Sequence, residues 1–404
     1  MTDREDPASR RTAIVVFAVG VTCALHIGKL PVAIPVLREA LQLTLVQAGF
    51  LLSLVQLAGM TLGLAVGLMA DRLGPRRVML CGLVLLALGS AMGALAPATG
   101  ALLMSRVLEG VGFLLAVLPA PGLLRRRVLH PPTLSRALGW WGAYMPLGTA
   151  LALLLGGALI DQLGWRWAWV ALSLLSLCSA LLLARLVAPD GASAHAGAGQ
   201  VGTAWGPRLR TTLTAPGPWW VALAFFLYSG QWLAVVGFLP TIYAQAGYAA
   251  AAVGGLSALA AGINMVGNIC AGRLLARGVR PGVLLAWGFC AMGLGSMVTF
   301  GAVGHPLAQY LAVLVFSGVG GLIPGTLFGL AVTLAPGEDT VSTTVGWMQQ
   351  FSALGQFIGP PLVAWVATQA GGWQSTWWVT AASSALGLLL AGRLQAAWSQ
   401  RAGV

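Results

Sequence analysis

Gly67-Leu68-Met69-Ala70-Asp71-Arg72-Leu73-Gly74-Pro75-Arg76-Arg77 is a short, strongly charged break between two long apolar runs. It stands out in a chain of 404 residues of which 58% are apolar and only 8% charged. A soluble domain carries about 25% charged residues. So few charges could not cover a water-facing surface, but a surface facing hydrocarbon needs none. The break therefore reads as a loop joining two membrane-spanning helices.

Working outward, crossing a hydrocarbon core of about 30 Å takes roughly 20 helical residues. Twelve such runs are predicted. In the first half they begin near Thr12, Val46, Arg77, Thr99, Ser135 and Trp165, and in the second near Pro218, Ala250, Pro281, Pro306, Val341 and Trp373. The fold class is an all-α membrane protein with twelve transmembrane helices in two six-helix halves. The expected division is residues 1–188, a cytoplasmic linker at 189–214 whose Gly/Ala/Ser composition reads as flexible, and residues 215–404. The halves look alike: Gly164-Trp165 returns as Gly372-Trp373, and Gly74-Pro75-Arg76 as Gly278-Val279-Arg280. Two matches at nearly one offset suggest a duplicated unit.

The net charge of +12 is built from 22 basic residues, and eighteen of them fall on one set of junctions. These are the N-terminal tail (Arg4, Arg10, Arg11), the quoted loop, the loop around Arg125, Arg126, Arg127 and Arg136, the central connection, the loop of Arg273, Arg277 and Arg280, and the C-terminal end. The positive-inside rule makes that face cytoplasmic and places both termini there. No basic stripe interleaved with aromatics is present, so the charge does not point to nucleic acid. Cys23, Cys81, Cys178, Cys270 and Cys290 form no Cys-x-x-Cys pair and read as small buried hydrophobes. The first run follows Arg10-Arg11 and is long enough to be a retained helix, not a cleaved leader. Trp165, Trp167, Trp219, Trp220, Trp373, Trp377 and Trp378 read as an interfacial belt.

The quoted loop closely resembles the signature loop of the major facilitator superfamily, in its glycines Gly67 and Gly74, its acid Asp71 and its basic Arg72, Arg76 and Arg77. Together with six plus six helices, that resemblance covers the whole chain. It implies that Asp71 contacts the start of the eleventh helix, near Thr340-Val341, in the outward-facing state. A carboxylate suits a helix N-terminus. The second-half copy, Gly272 to Arg280, lacks the acid. Arg106-Val107-Leu108-Glu109-Gly110-Val111-Gly112 on the fourth helix resembles a second family pattern, whose arginine is associated with substrate or proton handling. The overall style is similar to the cyanate and nitroimidazole permease-like branch.

Ionisable residues inside a membrane are costly and mark function. His26 and Lys29 lie about 21 Å and 26 Å along the first helix, and Arg106 and Glu109 about 10 Å and 15 Å into the fourth from the other side. All four approach one level. The resemblance implies that helices one, four, seven and ten line a central cavity, and so places these side chains in a shared aqueous pocket. The expectation is a net-positive site for an anionic or zwitterionic solute, with His26, Lys29 and Arg106 as substrate-binding groups and Glu109 as the proton-coupling group. Tyr144, Gln231, Trp232, Asn264 and Gln349 are further substrate-binding candidates, at mid-helix positions where an amide or aromatic could orient a ligand.

These readings point to a secondary active transporter working by alternating access as a monomer in a bacterial-type inner membrane, with protons as partner and no cofactor, metal or nucleic acid. Export of a drug, siderophore or other metabolite is the alternative. No Walker-type phosphate loop occurs. No Ser/His/Asp order or His-Glu-x-x-His supports an enzyme, and no signalling domain supports a sensor.

Overall fold

The computed structural model describes residues 7–190 and 205–402, and among these every regular element is a helix. Eleven segments are long and apolar enough to cross a membrane: α1 Pro7–Leu41, α2 Leu45–Gly67, α3 Pro75–Ala94, α4 Thr99–Arg127, α5 Arg136–Leu163, α6 Trp165–Leu186, α7 Pro216–Gln245, α8 Ala250–Ala276, α9 Pro281–Gly301, α10 Pro306–Thr333 and α11 Val341–Gln369. A twelfth helix, α12 Trp377–Ala402, has 26 residues, or about 39 Å of length. It is less apolar, with Ser383, Ser384, Arg393, Gln395 and Ser399 along it, and packs on α9 and α7. A helix is the form these runs must take in lipid, because it satisfies every backbone N–H and C=O internally.

Proline and glycine set the helix ends. Pro75, Pro216, Pro281 and Pro306 each open a helix, where the missing N–H costs nothing. Gly74 sits at φ +93° between α2 and α3, a conformation that side-chain-bearing residues avoid. Four spans expected to be continuous are interrupted: α2 by a tight turn at Leu54–Gln56, α4 at Leu118-Pro119, α8 at Ile263 and α10 at Gly321. The last two breaks face each other, since a side chain at Gly321 would meet the Asn264 carbonyl. Helix α12 starts four residues later than its predicted Trp373, which lies in a short turn at Trp373–Ser375.

The first six helices pack on one another, chiefly α1 on α5, α3 on α4 and α3 on α6, and the last six do the same through α7–α11, α9–α12 and α9–α10. The two sets meet along α2–α11 and α5–α8. The α5–α8 seam is uneven. At the end away from the arginine clusters, Gly254 packs on the Leu153 carbonyl and Gly262 on Ala150. On the same strips toward the arginine-rich end, Gly139 and Gly142 of α5 and Ile269, Gly272 and Ala276 of α8 are exposed, and nothing lies within 4 Å of where side chains at Gly139, Gly142 and Gly272 would begin. The halves are therefore closed at one end and splayed at the other.

Part of the expected linker lies outside the described residues; its described part includes the helix Trp205–Thr214, not coil throughout. Only Cys23 of the five cysteines is buried, whereas Cys81, Cys178 and Cys290 are exposed. On a lipid-facing surface a small apolar side chain has no reason to be inside. Of the tryptophans read as a belt, Trp167 and Trp378 are exposed, but Trp165 is buried edge-on against Trp169, and Trp219 packs on Trp347 and Phe351.

Candidate functional site

The helices bring His26, Lys29, Arg106 and Glu109 into one cluster inside the first six-helix set. All four are buried, with relative exposures of 0%, 3%, 0% and 0%. The spacing of three residues on α1 and on α4 puts each pair on a single helix face, and the two faces meet. Glu109 is the hub. One carboxylate oxygen accepts from Lys29 Nζ and lies 3.3 Å from His26 Nδ1, and the other accepts from Arg106 Nη1. Close approach here depends on α3: a side chain at Gly89 would come within 2.8 Å of the Glu109 backbone nitrogen.

Each cation is anchored further. Lys29 donates to Ser90 Oγ at 3.0 Å and lies 4.4 Å from the centre of the Trp169 ring, a cation–π distance. Ser90 in turn donates to the Trp169 carbonyl at 2.9 Å. Arg106 donates to the Leu51 carbonyl at 3.2 Å and the His26 carbonyl at 3.1 Å, tying α4 to α2 and α1. Its Nη2 is buried without a partner among the described residues, as is Trp169 Nε1. His26 Nε2 lies 2.9 Å from Ser176 Oγ, and Lys29 Nζ lies 3.5 Å from His26 Nδ1. With the imidazole neutral, two cations face one carboxylate and the cluster carries +1. Such a group is costly to bury, so its partners matter as a unit.

The walls of the cluster differ from those expected. Ser90 and Trp169 belong to α3 and α6, so the charged groups lie within the first bundle and are sealed from the splayed seam, rather than facing α7 and α10 across a shared aqueous pocket. Single-sequence reasoning missed Ser90, Trp169 and Ser176 because small hydroxyls and tryptophan are common in membrane helices. The available signal was pairing by repeat. His26–Ser176 joins α1 to α6, and Gln231–Ser384, with Ser384 Oγ 3.0 Å from Gln231 Oε1, joins α7 to α12 at nearly the same offset.

The second half holds a neutral network. Asn264 Nδ2 donates to the Ser317 carbonyl at 2.8 Å, Tyr228 donates to Asn264 Oδ1 at 3.2 Å, and Trp232 Nε1 donates to Ser317 Oγ at 3.1 Å. Thus Trp232 and Asn264 converge with Tyr228 and Ser317, while Gln231 points to α12 and keeps a buried Nε2 without a partner among the described residues. Tyr144 stacks on Trp141, both against Gly20 of α1. Gln349 is exposed, on the strip of α11 between those packing on α2 and α7. The neighbouring Gln350 donates to the Met60 carbonyl across the two halves at 2.7 Å.

In the quoted loop, the side chains of Asp71 and Arg72 lie outside the described residues, so the expected contact with α11 does too. Gly67 is half-buried in α2, with none of the described residues within 4 Å of where a side chain would begin. Gly74 faces Asp190, whose carboxylate accepts from the Arg77 backbone N–H at 3.0 Å. Asp190 thus places negative charge at the start of α3, where the helix dipole favours it. Arg76 donates to the Ala184 carbonyl at 2.6 Å, strapping the end of α6 to the loop, and Arg127 at the end of α4 donates to the carbonyls of Ala188 and Pro189.

A model of the Major Facilitator Superfamily matches residues 12–355. Over 348 residues the chain is 27% identical to the 2-nitroimidazole transporter of Escherichia coli (strain K12), covering 83% of each. Over 184 residues it is 31% identical to Puromycin resistance protein pur8 of Streptomyces alboniger, covering 45% of this chain and 36% of that protein. A third relative, Multidrug resistance protein Stp of Mycobacterium tuberculosis, is 36% identical over 114 residues, 27% of this chain and 21% of that protein. The matched part therefore spans about a third or less of these two resistance proteins. Among solved structures, a bacterial homolog of the human lysosomal transporter Spinster, in an inward-facing and unoccupied conformation, superposes with a TM-score of 0.74 at 15% identity, over 98% of this chain and 99% of that one. At that identity the likeness concerns the fold.

Proposed function

The chain belongs to the Major Facilitator Superfamily, and from that membership and its buried charges we propose that it is a proton-coupled secondary active transporter carrying a small anionic or zwitterionic solute by alternating access. It is a transporter, not an enzyme. The observation that carries the reading is the bonding of two cations to the single carboxylate of Glu109, sealed inside a membrane bundle. A protein keeps so costly an arrangement where a charge change is to be sensed or transmitted. Glu109 is the centre of coupling: it links α1 to α4, and any proton entering the cluster alters those bonds. The surplus positive charge and the unpartnered Arg106 Nη2 favour a solute bearing a negative group. The arginine-rich face is the cytoplasmic face of a bacterial-type inner membrane, and the splayed α5–α8 seam opens toward it.

A second reading, export of a drug-like compound, is favoured by the relatives named for puromycin and multidrug resistance. Both readings are tested with purified protein in proteoliposomes, using 2-nitroimidazole and puromycin as probes under an imposed pH gradient of either polarity. Coupled transport gives accumulation that follows the gradient and collapses with a protonophore, and its polarity separates import from export. Flux indifferent to the gradient would remove proton coupling.

A further inference from the structure

The 22 basic residues of this chain comprise 21 arginines and a single lysine. Every surface and loop position that needs positive charge uses arginine, which does not give up its proton in a protein. The one lysine is Lys29, in the buried cluster. Lysine supplies the same charge as arginine but can release a proton when desolvated. The cluster offers a reason to need that property: Lys29, Arg106 and Glu109 together leave a surplus of one positive charge, and loss of one proton from Lys29 makes the group neutral. Glu109 is a poor place for the mobile proton, because one of its oxygens already accepts from Lys29 and the other from Arg106.

We infer that Lys29 is the group that takes up and releases the proton, with His26 and Ser176 as its relay toward the arginine-rich face. This rests on the coupling function proposed above and assigns its proton to an atom. Lys29 is faced by His26 on its own helix, by Glu109 and Arg106 from α4, and by Ser90 from α3 and Trp169 from α6. Among the described residues, the one neighbour that leads away from the carboxylate and has a second exchangeable site is His26, whose Nδ1 lies 3.5 Å from Nζ and whose Nε2 lies 2.9 Å from Ser176 Oγ. On release the Nζ–H bond breaks and its electron pair stays on nitrogen. With the neutral imidazole carrying its hydrogen on Nε2, the proton joins Nδ1, and the imidazolium passes the proton of Nε2 to the Ser176 hydroxyl, which releases its own toward the Ser179–Thr22 hydroxyl pair. One turn nearer the arginine-rich end, Ser179 Oγ and Thr22 Oγ1 lie 2.9 Å apart between the same two helices. Roughly 10 Å beyond Thr22, by helical rise, the α1–α6 lane reaches a groove of about 390 Å³ lined by Pro7, Arg10, Arg11, Ile14, Val15 and Leu186. The stretch between is apolar, with Val16, Val19 and Leu183 buried, so the last transfer to water in the groove requires α1 and α6 to part there.

A chain with one lysine allows a direct test. The full-length protein, labelled with ¹³Cε,¹⁵Nζ-lysine and placed in nanodiscs, shows one lysine signal by NMR, assigned by its loss in Lys29→Met. The signal is followed between about pH 5.5 and about pH 9, below the range in which an ordinary lysine gives up its proton. The expected result is a change from ammonium to amine shifts within that window. In His26→Gln and Ser176→Ala, Nζ proton exchange slows at least tenfold, while the signal stays a single sharp resonance, showing an intact fold. An ammonium signature throughout, in a protein whose flux follows a pH gradient, overturns this assignment alone. Titration of Lys29 in a protein without gradient-driven flux sinks the coupling function, and the assignment with it. Exchange unaffected by both relay variants overturns the relay.

Discussion

Replacing Glu109 with glutamine removes the only anion from a cluster that also holds Lys29 and Arg106, all three buried. Two cations that each donated to a different carboxylate oxygen then face a neutral amide with one acceptor oxygen, its other position now an NH2 donor. Removing one partner of a buried ion pair costs roughly 3–5 kcal/mol, because the remaining charge is left uncompensated. That is a 10²- to 10³-fold or larger change in the folding equilibrium on the rule of about 1.4 kcal/mol per decade. Lys29→Met acts in the opposite sense electrostatically. It leaves the Arg106–Glu109 pair intact and the cluster neutral, with a long apolar side chain filling the place of the lysine stem; its cost is expected at about 1–2 kcal/mol, the loss of the hydrogen bonds to Ser90 and Glu109 being partly offset by removal of an unbalanced buried charge. The assay is thermal and denaturant unfolding of both variants in one detergent, with size-exclusion profiles to confirm monodisperse protein. Glu109→Gln is expected to fall well below wild type and Lys29→Met to stay close to it. Equal losses in the two variants would refute the charge-balance argument, since they would mean that contacts and not charge hold the cluster.

Gly74→Ala forces a side chain into a backbone at φ +93° and against the Asp190 carboxylate; a loss of about 1–3 kcal/mol is expected by thermal shift, on the cost of such strain, and Asp190→Ala in the same chain recovers only the part due to the clash. Asn264→Leu leaves the Tyr228 hydroxyl unpaired and takes from the Ser317 carbonyl one of its two donors, the other being the Gly321 backbone N–H, a destabilisation of about 1–3 kcal/mol, read by the same assay. In a background lacking the five native cysteines, Gly142→Cys is expected to react with a water-soluble maleimide added from the arginine-rich side, and Ala150→Cys on the closed stretch of the same seam is not; equal reactivity would contradict the one-sided opening.

Much of the fold is legible in the sequence because lipid leaves a chain so few options. Apolar runs of spanning length must be helices, and Gly74-Pro75, Gly164 and the prolines at Pro281 and Pro306 mark where they start and stop. The break at Ile263 is not legible, since it comes from two helices crossing at contact distance and carries no local proline signal, whereas the one at Gly321 is marked by Gly320 beside it and Pro324 three residues on. The same division holds at the site. His26, Lys29, Arg106 and Glu109 announce themselves because charge inside a membrane is rare, and depth counted along each helix brings them to one level. Which neighbours enclose them depends on the rotation of α3 and α6 about their axes, and that is fixed by the small residues Gly89 and Gly93 meeting Glu109 and Trp169. No period in the sequence states which small face meets which helix. Asp190 illustrates the same limit: it lies far from Gly74 in sequence and touches it only because α6 ends beside the α2–α3 loop.

The central claim, that the Glu109 cluster couples proton movement to transport, is tested most directly by the proton itself. Vesicles holding the purified protein and a trapped pH-sensitive dye, at equal pH on both sides, receive a pulse of whichever of the two probes the proteoliposome assay shows to be carried. Wild type is expected to move protons with the solute, and Glu109→Gln, compared at equal amounts of folded protein, to move none. Solute-dependent proton movement undiminished in Glu109→Gln would contradict the claim.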